Sequence, residues 1–155
     1  MKNEKHKRIS YSELKVWTDC AYKHKLIYRD NLKEFNGNEH TAFGTTMHYV
    51  CEHLMADELV DPGPIFEKKF KEEFSTLTEV NKKLSSEMWN QGPAIYPQIL
   101  PAIKEMFPSY KVHSIEDQLF EDLPEGFPET GIKHFKGFVD LVLETPDGNF
   151  HLRSE

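Results

Sequence analysis

The spacing of apolar residues changes along the chain from a helical period to a strand period. Up to about residue 110, apolar residues recur every three or four positions, which is typical of helices that bury one face. The first series follows Ser10, which stands three residues before Glu13 as in a capping box. Its members are Leu14, Trp17, Ala21, His24 and Tyr28. We expect one helix with this series, Trp17 and Tyr28 included, on its core-facing side.

Three further helical segments follow the loop at residues 36–38. Thr41 is the expected cap of the second helix, which the Asp-Pro-Gly-Pro sequence at residues 61–64 ends. The third helix carries a regular apolar series, namely Phe66, Phe70, Phe74 and Leu77. The fourth segment, residues 85–107, contains Pro93, Pro97 and Pro101. Since proline removes a backbone donor and clashes with the preceding turn, we expect short helical pieces there.

After Pro108 the pattern favours strands. Residues 112–120 and 135–144 are rich in β-branched and aromatic side chains, and residues 145–149 form a turn sequence before a returning strand that starts at Phe150. The pattern therefore predicts an α/β chain of the α+β type. We expect a single domain over residues 1–155, with 1–110 mostly helical and 111–155 forming a β-hairpin whose strands are incomplete.

Composition and charge exclude several classes of protein. The chain of 155 residues has 19 Lys/Arg and 26 Asp/Glu, and no apolar stretch approaches the ~18 residues of a membrane span. The first eight residues are basic but precede no apolar stretch, so no secretory signal is expected. Two cysteines are too few for a disulfide scaffold and predict a reducing, cytoplasmic location. Residues 1–33 carry a net charge of +5 on an otherwise acidic chain. Such a segment can contact a polyanion locally, but the charge alone is more typical of a solvated helix face with a frayed tail.

The segment from Gly44 to Glu52 contains the first candidate chemistry. His48 and Glu52 are four residues apart and therefore share a helix face. Gly44 is expected in the first turn of this helix, where glycine is a poor helix former and allows a backbone or ligand to approach closely. The opposite face is expected to lie in the core and carries Met47, Cys51 and Leu54.

Asp140 is the second candidate, because it is a charged residue within an otherwise apolar strand. A buried carboxylate is costly unless it is paired or bound to a cation. The returning strand of the hairpin leads to Glu155, whose carboxylate can face the same way as Asp140. Two carboxylates and a histidine that converge would form a site for a hard cation such as Mg²⁺ or Mn²⁺.

In combination these segments resemble the RecB/AddB-like group of PD-(D/E)XK nucleases, most closely the phage-encoded and CRISPR-associated RecB-like exonucleases. The resemblance covers residues 9–152. It rests on the helix start with Ser10 and Ser12, on the aromatic and basic stretch after Cys20, on the Gly44-to-His48 helix and on the strand from Gly137 to Asp140. Glu116 resembles an acidic position just before the catalytic strands of that group.

The resemblance implies a restriction-endonuclease-like core and a metal-dependent DNA exonuclease of replication, recombination or repair, in the host cytoplasm if phage-encoded. Asp140 and Glu155 would be catalytic and would bind Mg²⁺ or Mn²⁺ together with His48, whose nitrogen favours Mn²⁺. DNA ends or single strands would be the partners, alongside recombination or replication proteins. The candidate DNA-binding residues are Tyr11, Lys15, Tyr22, Lys23, Lys25 and Arg29.

Two departures from the family pattern affect these expectations. The family's second carboxylate is followed by a lysine that helps activate the attacking water, and no lysine follows Glu155. A positioned acid–base group contributes about 10²–10⁴ in rate, so a truncated or degenerate chain with weak or no activity is expected. Cys20 resembles the first ligand of the family's 4Fe–4S cluster. The three C-terminal cysteines are absent, so no cluster is expected in this chain.

Three other interpretations remain open. The first is a non-catalytic nucleic-acid-binding module with the same fold and a degenerate site. The second is a plain helical interaction protein. The third is a zinc protein, although the spacing of its candidate ligands is not typical of zinc sites. Those ligands would be Cys20, His24, His48, Cys51 and His53.

Overall fold

The computed structural model describes residues 8–32, 37–123 and 132–153, and these residues fall into two compact units. The helical unit comprises residues 37–115 and 140–153. The N-terminal unit comprises the described residues of 8–32 and 116–139. The expectation of a single domain over residues 1–155 stays a prediction.

Three helices build the helical unit, namely α3 (Glu39–Ala56), α4 (Pro62–Ser75) and α5 (Lys82–Met106). Their shared core consists of Ala42, Val50, Leu54, Met55, Phe66, Phe70, Phe74 and Met88. The apolar series of the third helix is confirmed, because Phe66, Phe70 and Phe74 are all buried. The Asp61-Pro62 pair has a different role from the expected one. Asp61 accepts a hydrogen bond from the Gly63 N–H, and Pro62 is the first residue of α4, where its missing donor costs nothing.

Helix α5 contradicts the expectation of short pieces, since it runs unbroken for 25 residues with Pro93, Pro97 and Pro101 inside it. The three prolines are spaced by four and therefore share one helix face, and all three are exposed. Water can solvate the carbonyls that lose their partners on that face. On the opposite face Phe66 packs so closely on Gly92 that a Cβ there would lie 2.2 Å from the phenyl ring. Packing thus outweighs the local propensity.

The N-terminal unit begins with β1 (Arg8–Ser10), α1 (Tyr11–Asp19) and α2 (Ala21–His24), followed by a π-helical turn at Lys25–Arg29. The predicted single helix is wrong here, because Cys20 has an extended backbone and separates α1 from α2. Trp17 is 54% exposed and does not lie in a core. The predicted cap is correct: Ser10 Oγ accepts the Glu13 N–H at 3.2 Å.

Four strands form a mixed sheet in the order β1-β3-β2, with β4 paired to β3. They are β1, β2 (Lys111–Asp122), β3 (His134–Glu144) and β4 (Phe150–Arg153). β1 runs parallel to β3 with Ile9 opposite Phe135, and β4 runs antiparallel to β3 with Leu141 opposite Arg153. The predicted α+β class and the hairpin are confirmed, whereas the short β1 strand was not predicted. No helix among the described residues is long and apolar enough to cross a membrane.

Candidate metal centre and nucleic-acid-binding residues

Two candidate residues of the helical unit, His48 and Glu52, lie on α3. This helix begins because Asn38 Oδ1 accepts the Thr41 N–H at 3.0 Å, so Asn38 and not Thr41 is the cap. Val50 and Leu54 are buried in the core on one face of α3, as expected for Leu54.

His48 and Glu52 form a close pair, as their spacing predicts. Nε2 of His48 lies 2.8 Å from Oε1 of Glu52, and both side chains are about one-quarter exposed. Two ligands that sit side by side on an octahedral ion at about 2.1 Å are separated by about 3.0 Å. The observed separation therefore suits a divalent cation held by both atoms as well as it suits a hydrogen bond. One nitrogen and one carboxylate oxygen are a donor set that Mn²⁺ accepts.

Gly44 differs from the expectation in two ways. It is the sixth residue of α3 and so lies in the second turn, since the helix starts earlier than predicted. A Cβ built on Gly44 would meet no atom of the described protein within 4 Å, so no protein backbone approaches it closely. The space beside Gly44 is open to solvent.

Cys51 and His53 are engaged locally in ways that argue against a zinc site. Burial raises the pKa of the Cys51 thiol, with the nearby Glu52 charge as a smaller cause, so the metal-binding thiolate is disfavoured. The ring of His53 is hydrogen-bonded to the Tyr49 carbonyl at 2.8 Å. Cys20 likewise serves as the cap of α2 by accepting the Lys23 N–H through sulfur.

Asp140 is half-buried on β3 at the start of the segment that pairs with β4. Its neighbour Val139 is buried, and Leu141 packs against the core of the helical unit. The polar residue therefore stands in a strand whose flanking residues are fixed by packing, and Asp140 makes interactions of its own. Glu155, the other predicted catalytic carboxylate, lies outside the described residues.

Glu116 has an unusual backbone in the N-terminal unit. It lies within β2 but has φ = 53°, in the left-handed region that residues with a Cβ seldom adopt. Such a residue inside a strand is typical of a bulge that redirects a side chain. Strained backbone of this kind clusters at functional sites, and the sequence pattern gave no signal for it.

The predicted nucleic-acid-binding residues lie on α1, α2 and the π-helical turn. Tyr11 and Tyr22 are 55% and 67% exposed. The four basic residues of the set are exposed as well, namely Lys15, Lys23, Lys25 and Arg29. Lys25 is engaged with Asp30 at 3.6 Å. These side chains therefore lie at the surface, where Arg29 also makes an interaction of its own.

A second histidine–glutamate pair lies in the N-terminal unit, and the sequence did not predict it. His24 Nε2 lies 2.9 Å from Glu13 Oε1, and these side chains are only 12% and 24% exposed. The His24 ring also stacks on Tyr28, whose pKa is raised chiefly by burial and further by the charge of Glu13. The capping-box acid thus links α1 to α2. The two residues are eleven positions apart and lie on different helices, so the periodicity of neither helix predicts this contact.

Comparison with known families decides the relationship of the chain. The model of the PD-(D/E)XK nuclease superfamily matches residues 8–153. The chain belongs to the PD-(D/E)XK nuclease superfamily. The predicted restriction-endonuclease-like α+β fold is thereby confirmed. Neither the curated proteins nor the solved structures contain a significant match to this chain.

Membership of the PD-(D/E)XK superfamily has two chemical consequences. These proteins are nucleases that act on nucleic acid, and they use divalent metal ions. The His48–Glu52 pair fits such an ion by its donor atoms and by their separation. The superfamily assignment is therefore consistent with the chemistry of the side chains on α3.

Proposed function

We propose that this protein is a RecB-like, metal-dependent DNA exonuclease that acts on DNA ends or single strands in replication, recombination or repair. The superfamily match over residues 8–153 carries the proposal. The order of motifs from Ser10 to Asp140 supports the RecB-like group, including phage-encoded or CRISPR-associated members.

His48 and Asp140 are the proposed metal ligands, with Glu155 as a further carboxylate. Glu52 joins His48 in the proposal because its carboxylate faces the same imidazole nitrogen that would bind the ion. A bound Mg²⁺ or Mn²⁺ would polarise the phosphate and lower the pKa of the attacking water. Glu116 is a further acidic candidate, supported by its strained backbone and its place before the hairpin.

Substrate contact is proposed for the helices of the N-terminal unit. Lys15, Lys23 and Arg29 would neutralise backbone phosphates, and the exposed rings of Tyr11 and Tyr22 would stack on unpaired bases. Binding of this kind weakens steeply as salt rises, because each phosphate contact releases a condensed counterion.

The proposal is tested by digestion of end-labelled single- and double-stranded DNA with Mn²⁺, Mg²⁺ or EDTA. We expect cutting that requires the metal and that falls about a hundredfold or more in Asp140→Asn, because the ion supplies several kcal/mol of transition-state stabilisation. Glu144→Gln is the matched control, since Glu144 is another half-buried acid of β3. This control should retain the wild-type rate.

Two results would contradict parts of the proposal. A wild-type chain that binds the labelled DNA but cuts it with neither ion would favour the non-catalytic binding module. An Asp140→Asn variant that cuts like the wild type would remove Asp140 from the site while leaving the nuclease assignment intact.

A further inference from the structure

One face of the strands in the N-terminal unit exposes aromatic and cationic side chains together. Phe120 on β2 and Phe138 on β3 are 48% and 50% exposed. Between them lies His134, whose ring stacks on Phe120 at a centroid distance of 4.7 Å and an angle of 29°. The Lys136 ammonium stands 4.6 Å from the centroid of the Phe138 ring. Exposed rings that cluster in one patch mark a binding surface more often than single exposed rings do.

The strand period places these side chains on one face. His134, Lys136 and Phe138 alternate along β3 with residues of the other face, among them the buried Val139. Successive members of the row are about 6.6 Å apart. Phe120 joins the row through its ring contact with His134. We call the set Phe120, His134, Lys136 and Phe138 the aromatic strand face.

The adjoining strand adds positive charge. In the parallel pairing of β1 with β3, Arg8 lies opposite His134 and Ser10 lies opposite Lys136. Residues in register on neighbouring strands point to the same face, so the exposed Arg8 borders the row. The acid Asp122 is engaged with the His134 ring at 2.7 Å. Arg8 and Lys136 thus bring two cations to this row, in a chain whose net charge is −7.

We infer that the aromatic strand face binds single-stranded nucleic acid by stacking unpaired bases on Phe120 and Phe138. Lys136 and Arg8 would contact the phosphates, whose negative charge complements these two cations. Stacking needs bases that are not paired, so the surface selects a single strand over a duplex. The inference rests on the proposed function for its substrate class. It deepens that function, because it names a single strand as the form of nucleic acid that the proposed nuclease holds.

The test is the affinity for fluorescein-labelled oligothymidine of about 15 nucleotides, within the site sizes of single-strand binders, measured by fluorescence anisotropy in EDTA. EDTA removes cleavage and metal binding from the measurement. Phe138→Leu and Phe120→Leu keep an apolar side chain of similar volume but remove the aromatic surface. Each should weaken binding roughly 5- to 150-fold, since stacking contributes about 1–3 kcal/mol per base.

Phe150→Leu is the matched control. Phe150 is 52% exposed on β4 and also contacts a histidine ring, that of His113 at 5.0 Å, but it lies outside the aromatic strand face. Its variant should bind like the wild type. Lys136→Met should lessen the salt dependence of the affinity, with a change in slope of about 0.7 for one lost phosphate contact on a single strand.

The outcomes separate this inference from the proposed nuclease. Wild-type affinity in both Phe120→Leu and Phe138→Leu would overturn the stacking surface, even if the chain cuts DNA. Equal affinity for a hairpin duplex and for oligothymidine would also overturn it. A shift from dimer to monomer in sedimentation of Phe138→Leu, with unchanged oligonucleotide affinity, would assign the face to a second copy of the chain instead. Conversely, selective loss of binding in the two variants would support the surface even if wild-type cleavage failed.

Discussion

The two units of this nuclease differ in where they keep their large apolar side chains. Among the described residues, every buried apolar side chain except Val139 belongs to the helical unit. The N-terminal unit instead exposes rings on its helices and strands, namely Tyr11, Trp17, Tyr22, Phe120 and Phe138. Apolar surface buried from water stabilises the fold, while exposed rings beside cations are available to a ligand.

Because of this difference, substitutions of two phenylalanines, Phe66 and Phe138, should have different effects. Phe66 is 1% exposed and contacts Phe43, Phe70, Trp89 and Tyr96 through its ring. Phe138 is half exposed, and the ammonium of Lys136, two residues before it, lies against its ring. Phe66 should therefore report on stability, and Phe138 should report on binding.

The largest expected effect is the loss of stability in Phe66→Ala. Removal of a buried phenyl ring costs the transfer free energy and leaves a cavity, for a total of about 3–5 kcal/mol. Urea unfolding followed by circular dichroism measures this change. Phe138→Ala is the matched variant and should change the free energy of unfolding by about 0.5 kcal/mol or less. Similar losses in the two variants would remove the distinction between the units.

The next effect reverses sign between two glycines of the helical unit. Gly92→Ala should destabilise by about 1–3 kcal/mol, because its Cβ would lie 2.2 Å from the Phe66 ring and the core would be overpacked. Gly44→Ala should stabilise by about 0.5–1 kcal/mol, since its Cβ meets nothing within 4 Å and alanine is the better helix former. Thermal unfolding of both variants tests the pair, and stabilisation by Gly92→Ala would show that the contact with Phe66 yields easily.

The sequence predicted the parts of this molecule that depend on local period. The series Phe66, Phe70 and Phe74, the strand around Asp140 and the His48–Glu52 spacing all follow from a single element, and the structure agrees with each. The superfamily could also be predicted from the sequence, because several short motifs in the right order are more specific than any one of them alone.

What could not be predicted depends on contacts between distant segments. The continuity of α5 through three prolines requires Gly92 to fit against Phe66, which belongs to another helix. The break at Cys20 leaves Trp17 exposed, although its spacing fits a core stripe. The left-handed backbone of Glu116 has no sequence signature, since only asparagine, aspartate and glycine adopt it routinely.

A third prediction concerns His48 and Glu52 on α3. A substitution on this face of the helix should change metal binding, whereas a substitution on its buried face should change stability. Glu52→Gln should weaken Mn²⁺ binding by at least tenfold. A carboxylate that contacts a metal-binding histidine raises the affinity of the site for the metal, even where the carboxylate does not bind the ion itself. Isothermal titration with Mn²⁺ measures this. The free energy of unfolding without metal should change by less than about 1 kcal/mol, as for other partly exposed pairs. Unchanged Mn²⁺ affinity would exclude Glu52 from the site.

The smallest expected effect is a pH dependence of stability. It compares one tyrosine of each unit whose pKa is raised, Tyr110 and Tyr28. Burial, and then the hydrogen bond to Glu58, raise the pKa of Tyr110 in the helical unit to about 12. Its Oη donates to Glu58 Oε1 at 2.8 Å, and Lys104 donates to the other oxygen of the same carboxylate. The folded state therefore holds the phenolic proton more tightly than the unfolded chain, whose tyrosines titrate near 10. The stabilisation is complete below about pH 10 and disappears as the pH rises toward 12.

Spectrophotometric titration of tyrosinate, with Tyr110→Phe subtracted to isolate the one residue, measures this pKa. Glu58→Gln should lower it only part of the way toward 10, because burial is the larger cause and remains in the variant. The tyrosine of the N-terminal unit with a raised pKa, Tyr28, provides the comparison, since burial is again the first cause and the charge of Glu13 the second. Glu13→Gln should therefore lower the pKa of Tyr28 while leaving that of Tyr110 unchanged. If Glu58→Gln left the Tyr110 midpoint in place, the carboxylate contact would contribute nothing, and burial alone would account for the shift.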